Sequence, residues 1–170
     1  HTLAQARALA PEPAFDGPAT VMLVVGESIN RDNLGLYGYA RDTTPRLDAE
    51  RRRLGDALLV LNPAWSVEAS TLPALQRLFR FGASDAGDAP HLLALARAAG
   101  YRVWWIGNQD DLALRALHAG LADAHQIVNR RPGRSSVTLD GELLDEVQAA
   151  LADPAPRKLL VVHLIGAHPH

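Results

Sequence analysis

Residues 20–28 read Thr-Val-Met-Leu-Val-Val-Gly-Glu-Ser, and this stretch decides the fold. Its first six residues form a continuous apolar and β-branched run, which is typical of a strand buried on both faces of a sheet. Gly26 ends the run and Glu27 follows at once. The pattern therefore predicts a strand over 20–25 with an acidic side chain just beyond its carboxyl end.

Further strands and helices alternate along the rest of the chain. Apolar runs bounded by glycine or polar residues predict strands at 57–61, 101–106, 126–128 and 158–164. Apolar residues at helical spacing predict helices at 71–81, 90–99, 110–121 and 139–151, and another that begins at Pro45 with Thr44 as its cap. This alternation predicts an α/β fold with a largely parallel sheet and helices on both faces.

The composition limits what the chain can be. Its 170 residues, 48% of them hydrophobic, are enough for one sizeable core, which we place in a domain over 19–170. Residues 1–18 carry prolines at 11, 13 and 18 and read as a leader or linker. The formal net charge of -2 creates no field that would attract nucleic acid, so we expect no nucleic-acid partner. The absence of cysteine excludes disulfides and thiolate chemistry.

Glu27 is the first candidate for chemistry. Ligands of open α/β sheets gather at the carboxyl ends of the strands, and Glu27 follows such an end. A carboxylate in that position is a candidate metal ligand, because burying its charge is costly without a cation. A turn or helix-capping glutamate is the alternative, and the spacing gives it equal weight.

Thr71 is the second candidate, because it stands at the head of a predicted helix. Free backbone N–H groups and the helix dipole favour an anion there. A threonine hydroxyl becomes an effective nucleophile when a metal or a base lowers its pKa. An ordinary N-cap is the more common role of such a residue, and Ser66 and Ser70 compete for either role.

The histidines are less informative. His168 follows an apolar strand and a glycine, so it is a candidate ligand or phosphate contact, with a surface histidine as the alternative. His163 lies within the last predicted strand and reads as a core residue. His91, His118 and His125 show no metal-ligand spacing to one another, and we assign them to the surface.

Two blocks of sequence carry a resemblance to a known family. Residues 24–28 read Val-Val-Gly-Glu-Ser, and residues 36–45 read Leu-Tyr-Gly-Tyr-Ala-Arg-Asp-Thr-Thr-Pro. Together they resemble the opening of the catalytic domain of bacterial phosphoethanolamine transferases, in the sulfatase-like branch of the alkaline phosphatase superfamily. The resemblance continues through Ser70-Thr71 and the segments 105–109, 153–159 and 163–168. The Tyr-Gly-Tyr and Gly-Asn-Gln variants are most similar to members that modify the lipopolysaccharide core.

The resemblance implies a fold and a set of site residues. The fold would be an alkaline-phosphatase-like, sulfatase-like three-layer sandwich, of which this chain is the N-terminal part. Glu27 would bind a catalytic zinc ion, and Thr71 would be both a zinc ligand and the nucleophile. Asn108 and His168 would lie on the substrate side, with His168 near the phosphate or near a second metal ion.

The resemblance also implies a reaction. Thr71 would attack the phosphorus of phosphatidylethanolamine, and diacylglycerol would leave. A lipopolysaccharide hydroxyl, on a core sugar or on lipid A, would then take the phosphoethanolamine group. We expect the full-length protein to be anchored in the bacterial inner membrane by a segment before residue 1, with the catalytic domain facing the periplasm.

One departure from the family bears on activity. The family completes its zinc site with an Asp-His pair in a Ser-Asp-His-Gly-Glu segment, which this sequence lacks. Zinc would lack about two of its four ligands, so we expect this chain alone to be inactive although the full-length protein is an enzyme.

Three other functions stay open. A phosphatase or phosphodiesterase of the same superfamily would share Glu27 and Thr71 and use water as the acceptor. A sulfatase is disfavoured, because it needs an oxidisable Cys or Ser where this chain has Thr71. A non-catalytic α/β binding module would use both residues as caps, although the lack of a glycine-rich phosphate loop disfavours a nucleotide-binding version.

Overall fold

A computed structural model of the chain describes residues 2–9, 19–82, 89–109, 112–129 and 138–167. The chain divides into two compact units, one formed by His1–Glu27 with Val67–His170 and the other by Ser28–Ser66. The helices are α1 (Thr2–Leu9), α2 (Pro45–Leu54), α3 (Thr71–Phe79), α4 (Leu92–Ala98), α5 (Leu112–Leu117) and α6 (Leu144–Ala152).

A parallel sheet organises the larger unit. Its strands are β1 (Thr20–Val25), β2 (Arg102–Gly107), β3 (Ala124–Ile127) and β4 (Lys158–His163). They lie in the order β1-β4-β2-β3, and every neighbouring pair is parallel. Val25 and Gly107 both pair with His163, so three strands end at the same level. The predicted α/β fold with a parallel sheet is confirmed.

Helices cover both faces of the sheet. Val103 and Trp105 of β2 point to one face, where they pack with Phe79 of α3 and Leu93 of α4. Ile106, the next residue after Trp105, points to the other face and packs in a second core. That second core also contains Leu143, Ala150, Leu160 and Val162, which come from α6, the turn before it and β4. The sheet and its two helical layers form the predicted three-layer arrangement.

The prediction that β1 is buried on both faces is wrong. Val21, Leu23 and Val25 pack against the first core, whereas the side chains of Met22 and Val24 are 41% and 53% exposed. Met22 and Val24 are exposed because α6 packs over β4 and β2, and β1 lies beside these two strands and not under the helix. All six residues of β4 are buried, as expected for a strand between two others.

Several predicted boundaries also change. The predicted helix over 139–151 begins as a 3-10 turn at Asp140–Leu143 before α6. The predicted helix over 110–121 is shorter, since α5 ends at Leu117 and a 3-10 turn follows at Ala119–Leu121. The weak strand predicted at 126–128 starts earlier, as β3. Within the leader, α1 packs against α4 and buries Ala6 completely, whereas residues 10–18 lie outside the described part.

The smaller unit contains α2 and three 3-10 turns, at Arg31–Asn33, Gly35–Tyr37 and Gly55–Ala57. The strand predicted at 57–61 is wrong, because a 3-10 turn occupies Gly55–Ala57 and, among the described residues, the following run pairs with no strand. An apolar run predicts burial, and it cannot supply the neighbouring strand that a ladder requires. Thr44 precedes α2 as predicted, but its hydroxyl accepts a hydrogen bond from Gly35 N at 3.0 Å instead of capping the helix.

Within the part of the chain that the structure describes, no helix is long and apolar enough to span a membrane.

Candidate functional site

The candidate site lies at the carboxyl edge of the sheet, where β1, β4 and β2 end level with one another. Glu27 lies two residues beyond the end of β1, and Gln109 lies two residues beyond the end of β2. Thr71 is the first residue of α3. Parallel pairing therefore brings together side chains that are far apart in the sequence, as the position of Glu27 after its strand predicts.

Glu27 and Thr71 are in direct contact. The Thr71 hydroxyl donates a hydrogen bond to Glu27 Oε2 at 2.9 Å, and the Glu27 side chain is only 11% exposed. Ser70 occupies the N-cap position of α3, and its side chain makes no capping hydrogen bond. The Thr71 hydroxyl is thus directed at a carboxylate at the head of the helix. This geometry differs from the ordinary N-cap that was the alternative to catalysis.

Gln109 is a member of the site that sequence reasoning missed. Its side-chain Nε2 donates to Glu27 Oε2 at 3.1 Å and to the Leu164 carbonyl oxygen at 3.0 Å. The buried His163 places its Nε2 at 4.0 Å from the same Glu27 oxygen. Its position could have identified Gln109. It lies two residues beyond the end of β2, just as Glu27 lies two residues beyond the end of β1.

Asn108 occupies a different environment from Glu27 and Thr71. It is fully buried, and its Nδ2 donates to the Thr138 carbonyl at 3.1 Å and to Asp140 Oδ1 at 2.9 Å. Asp140 also accepts hydrogen bonds from the backbone N–H groups of Ile165 and Gly166, at 2.9 and 2.8 Å. Asn108 therefore ties the loop after β2 to the loop after β4. Its predicted contact with substrate stays a prediction, and His168 lies outside the described residues.

Two histidines that we assigned to the surface are buried instead. His91 and His118 are 1% and 0% exposed, and His91 Nε2 lies 2.9 Å from His118 Nδ1. The pair can be buried because each ring partly satisfies the other and aromatic rings enclose both. Phe79 stacks on His91 at 5.6 Å between ring centroids, and Trp105 stacks on His118 at 5.9 Å. The core assignment of His163 and the surface assignment of His125 are confirmed.

Hydrogen bonding fixes which ring nitrogen of His91 carries the hydrogen, and burial keeps the histidine pair uncharged. The Leu93 backbone N–H donates to His91 Nδ1 at 3.2 Å, so the neutral ring carries its hydrogen on Nε2 and donates it to His118. Burial, the neighbouring ring and Arg80 lower the pKa of His91 to about 3. Burial, Arg80 and His163 lower the pKa of His118 to about 4. Burial also lowers the pKa of His163, although Glu27 and Asp140 oppose that shift. The pair is therefore neutral at physiological pH.

The site supplies part of what a metal ion needs. The Glu27 carboxylate and the Thr71 hydroxyl place two oxygen atoms side by side, and carboxylate oxygen is an ordinary zinc ligand. Among the described residues, no group of three or more His, Cys, Asp or Glu side chains could hold a metal ion. The residues present thus fit one side of a zinc site and leave further ligands to be supplied.

The fold and the site define a class of protein. A parallel α/β sheet with a carboxylate at its carboxyl edge, in contact with a hydroxyl at a helix N-terminus, is the arrangement implied by the resemblance to the alkaline phosphatase superfamily. The profile of the Sulfatase family matches residues 19–170. The chain belongs to the Sulfatase family.

Similar proteins carry the name phosphoethanolamine transferase. CptA of Salmonella typhimurium is 35% identical over 161 residues, which are 90% of this chain and 28% of that protein. EptC of Escherichia coli is 35% identical over 159 residues, which are 89% of this chain and 27% of that protein. The chain therefore spans little more than a quarter of the length of these relatives. The resemblance to phosphoethanolamine transferases is confirmed.

Solved structures agree with this assignment. The C-terminal periplasmic domain of Escherichia coli EptC in complex with Zn matches with a TM-score of 0.82 and 34% identity, over 91% of this chain and 45% of that chain. The integral membrane protein EptA of Neisseria meningitidis, a lipooligosaccharide phosphoethanolamine transferase, matches with a TM-score of 0.74 and 27% identity, over 95% of this chain and 30% of that chain. The alkaline-phosphatase-like fold predicted from the resemblance is confirmed.

Proposed function

We propose that the full-length protein transfers phosphoethanolamine from phosphatidylethanolamine to a lipopolysaccharide hydroxyl, through a covalent intermediate on Thr71. The observation that carries this proposal is the 2.9 Å hydrogen bond from the Thr71 hydroxyl to Glu27 at the head of α3. The 35% identity to CptA, a phosphoethanolamine transferase, supports the choice of the transferred group.

The chain's own residues account for the first half of the reaction. Thr71 Oγ1 attacks the phosphorus, the bond from phosphorus to the diacylglycerol oxygen breaks, and diacylglycerol leaves with that oxygen, which takes up the proton given up by Thr71. Glu27 Oε2 already accepts the hydrogen of the Thr71 hydroxyl and lies in position to receive its proton. The first N–H groups of α3 have no partner within the helix and favour the negative charge of the phosphate.

The second half returns Thr71 to its starting state. An acceptor hydroxyl, on a core sugar or on lipid A, attacks the phosphorus of the phosphothreonine, and the bond between phosphorus and Thr71 Oγ1 breaks. The threonine oxygen takes up the proton that the acceptor hydroxyl gives up, and the site is ready for another donor lipid.

Glu27 and Thr71 are the residues that would hold a zinc ion. When bound, zinc would lower the pKa of the Thr71 hydroxyl and so increase its reactivity. The zinc complex of the related EptC domain supports the choice of metal. Two ligands are about half of a tetrahedral set, so we expect this chain alone to bind zinc weakly and to show little activity. A second zinc ion near His168 is the alternative to a single one.

The same relatives support a proposal for the location. Solved neighbours are described as a periplasmic domain and as an integral membrane protein. We place the catalytic domain on the periplasmic side of the bacterial inner membrane, where the donor lipid and a lipopolysaccharide acceptor meet.

The test is intact mass spectrometry of the full-length protein incubated with zinc and phosphatidylethanolamine. Wild type should gain one phosphoethanolamine group, mapped to Thr71 by peptide sequencing. Thr71→Ala should gain none, and Thr71→Ser, which keeps a hydroxyl, should gain it more slowly. No adduct on a folded wild-type protein under any metal condition would overturn the proposal. An adduct that is released only to water would replace the transferase with a phosphodiesterase.

A further inference from the structure

We propose that Gln109 is a positioning residue that holds the Glu27 carboxylate in the orientation required by Thr71 and by the metal ion. This inference rests on the proposed function, because it concerns the same carboxylate. Gln109 would touch neither the phosphorus nor the metal. It would act through Glu27.

The geometry around one oxygen atom carries the first step. Glu27 Oε2 accepts hydrogen bonds from Thr71 Oγ1 at 2.9 Å and from Gln109 Nε2 at 3.1 Å. A carboxylate oxygen has two lone pairs, and these two donors match them. A deprotonated Thr71 no longer donates to Glu27, whereas the Gln109 amide still can. Gln109 is thus a partner that can hold the carboxylate in place after Thr71 has lost its proton.

Gln109 is itself anchored. The amide nitrogen of Gln109 donates to Glu27 Oε2 at 3.1 Å and to the Leu164 carbonyl oxygen at 3.0 Å, and His163 Nε2 lies farther away, at 3.4 Å. The Leu164 backbone N–H in turn donates to the Val25 carbonyl at 2.9 Å. The amide is therefore held by backbone that belongs to the ends of β1 and β4, so its position is set by the sheet.

The sheet order explains why a long side chain is needed. β4 lies between β1 and β2, so no backbone ladder joins the strand that precedes Glu27 to the strand that precedes Gln109. The Gln109 side chain crosses the end of β4 and makes that connection, between residues 82 positions apart. Asparagine is one methylene shorter and would not span the same distance.

The chemistry of an amide suits a carboxylate that must also bind a cation. A lysine or arginine in this position would neutralise Glu27 and compete with the metal ion for it. An amide donates a hydrogen bond and carries no net charge, so Glu27 keeps its negative charge. Hydrogen bonds to ligating carboxylates typically change metal affinity by about 10–100-fold when they are removed.

The test compares full-length wild type with Gln109→Met, Gln109→Asn and the control Gln148→Met. Methionine keeps the length and bulk of glutamine and removes both donors, and asparagine keeps the donors and shortens the reach. Gln148 is exposed on α6 and belongs to no part of the site. Zinc affinity is measured by competition with a chelator, and unfolding temperature reports on folding. We expect both Gln109 variants to bind zinc about tenfold or more weakly and the control to bind it as wild type does.

A crystal structure of zinc-free Gln109→Met supplies a second readout that does not depend on the metal. We expect the Glu27 side chain to leave its wild-type rotamer, with Thr71 and α3 unmoved. Wild-type zinc affinity in a folded Gln109→Met protein, or an unmoved Glu27 in its crystal structure, would overturn the inference. If wild type itself bound no zinc and formed no Thr71 adduct, the proposed function would fail, and the position of Glu27 in the variant would still decide the role of Gln109.

Discussion

The Thr71 hydroxyl donates a hydrogen bond of 2.9 Å to Glu27, a residue 44 positions away. The two side chains come from different kinds of element, one beyond the end of β1 and the other at the start of α3. Ser70 takes the N-cap position, which leaves the Thr71 hydroxyl directed at the carboxylate. A hydroxyl paired with a mostly buried carboxylate is arranged for deprotonation, and helix capping alone gives no reason for that pairing.

Glu27→Gln should abolish the covalent adduct on Thr71 and weaken zinc binding by at least about tenfold. The substitution keeps the shape of the side chain but removes the charge that a metal ligand and a proton acceptor both need. Mass spectrometry of the full-length variant with phosphatidylethanolamine, together with chelator competition for zinc, measures the two effects.

Glu68→Gln is the matched control for that experiment. It makes the same change of charge in a residue that pairs with Arg77 at 2.7 Å on the surface. Such a surface ion pair contributes about 0–1 kcal/mol, so adduct formation and zinc affinity should both stay close to wild type. Full adduct formation in Glu27→Gln would remove Glu27 from the mechanism.

Much of the fold could be predicted from periodicity. The strands predicted at 20–25, 101–106 and 158–164 agree with β1, β2 and β4 to within one residue. These runs lie in the sheet, where apolar side chains pack directly against helices. The run at 57–61 has the same apolar character and forms no strand, because a strand also needs a neighbour, which local sequence does not specify.

The site was only partly predictable for a related reason. Glu27 could be predicted as a site residue because residues that follow a parallel strand lie at the edge of the sheet where ligands bind. The role of Gln109 depends on the order β1-β4-β2, which periodicity does not reveal. The burial of His91 and His118 depends on their contact with each other, across 27 positions. Contacts of this kind are tertiary, so a search for metal-ligand spacing does not find them.

The buried histidine pair should make the folded state sensitive to acid. The pKa values of His91 and His118 are about 3 and about 4 in the folded protein, against about 6.5 in an unfolded chain. Between these values the unfolded chain binds protons that the folded protein does not. The stability that the neutral pair contributes is therefore fully present above about pH 6.5 and is lost as the pH falls toward 4. Linkage gives a loss of about 2–4 kcal/mol between pH 7 and pH 5.

Urea unfolding at a series of pH values measures this effect. His91→Gln combined with His118→Gln removes both titrating rings, so the decline in the free energy of unfolding between pH 7 and pH 5 should become shallower. His125→Gln, in an exposed position on β3, should leave the decline as in wild type. An unchanged slope in the double variant would show that the pair does not control the acid sensitivity.

Asn108→Ala should lower the free energy of unfolding by about 2–3 kcal/mol. The side chain is fully buried, and its loss would remove a hydrogen bond from Thr138 and one from Asp140. Thermal unfolding measures the stability, and the KM for phosphatidylethanolamine is measured at a temperature where the variant is folded. A raised KM with unchanged stability would favour the substrate contact implied by the family resemblance over the bridging role.

Position 166 should require glycine, because the Asp140 carboxylate approaches it closely. A Cβ atom added at Gly166 would lie 2.6 Å from Asp140 Oδ2, so either the carboxylate or the backbone would have to move. The Asp140 carboxylate holds this turn by accepting hydrogen bonds from Ile165 N and Gly166 N. Gly166→Ala should therefore destabilise the protein by about 1–3 kcal/mol, measured by urea unfolding.

A double-mutant cycle separates this clash from a general effect of alanine. Asp140→Ala alone should cost about 2–3 kcal/mol, because three N–H donors lose their acceptor. In the Asp140→Ala background the Gly166→Ala substitution should cost about 1–2 kcal/mol less than in wild type, since the atom that it would meet is absent. Gly141→Ala is the control, because an added Cβ there has nothing within 4 Å, and it should not destabilise the protein. Additive costs at positions 140 and 166 would mean that the approach of Asp140 is not the reason why Gly166 is needed.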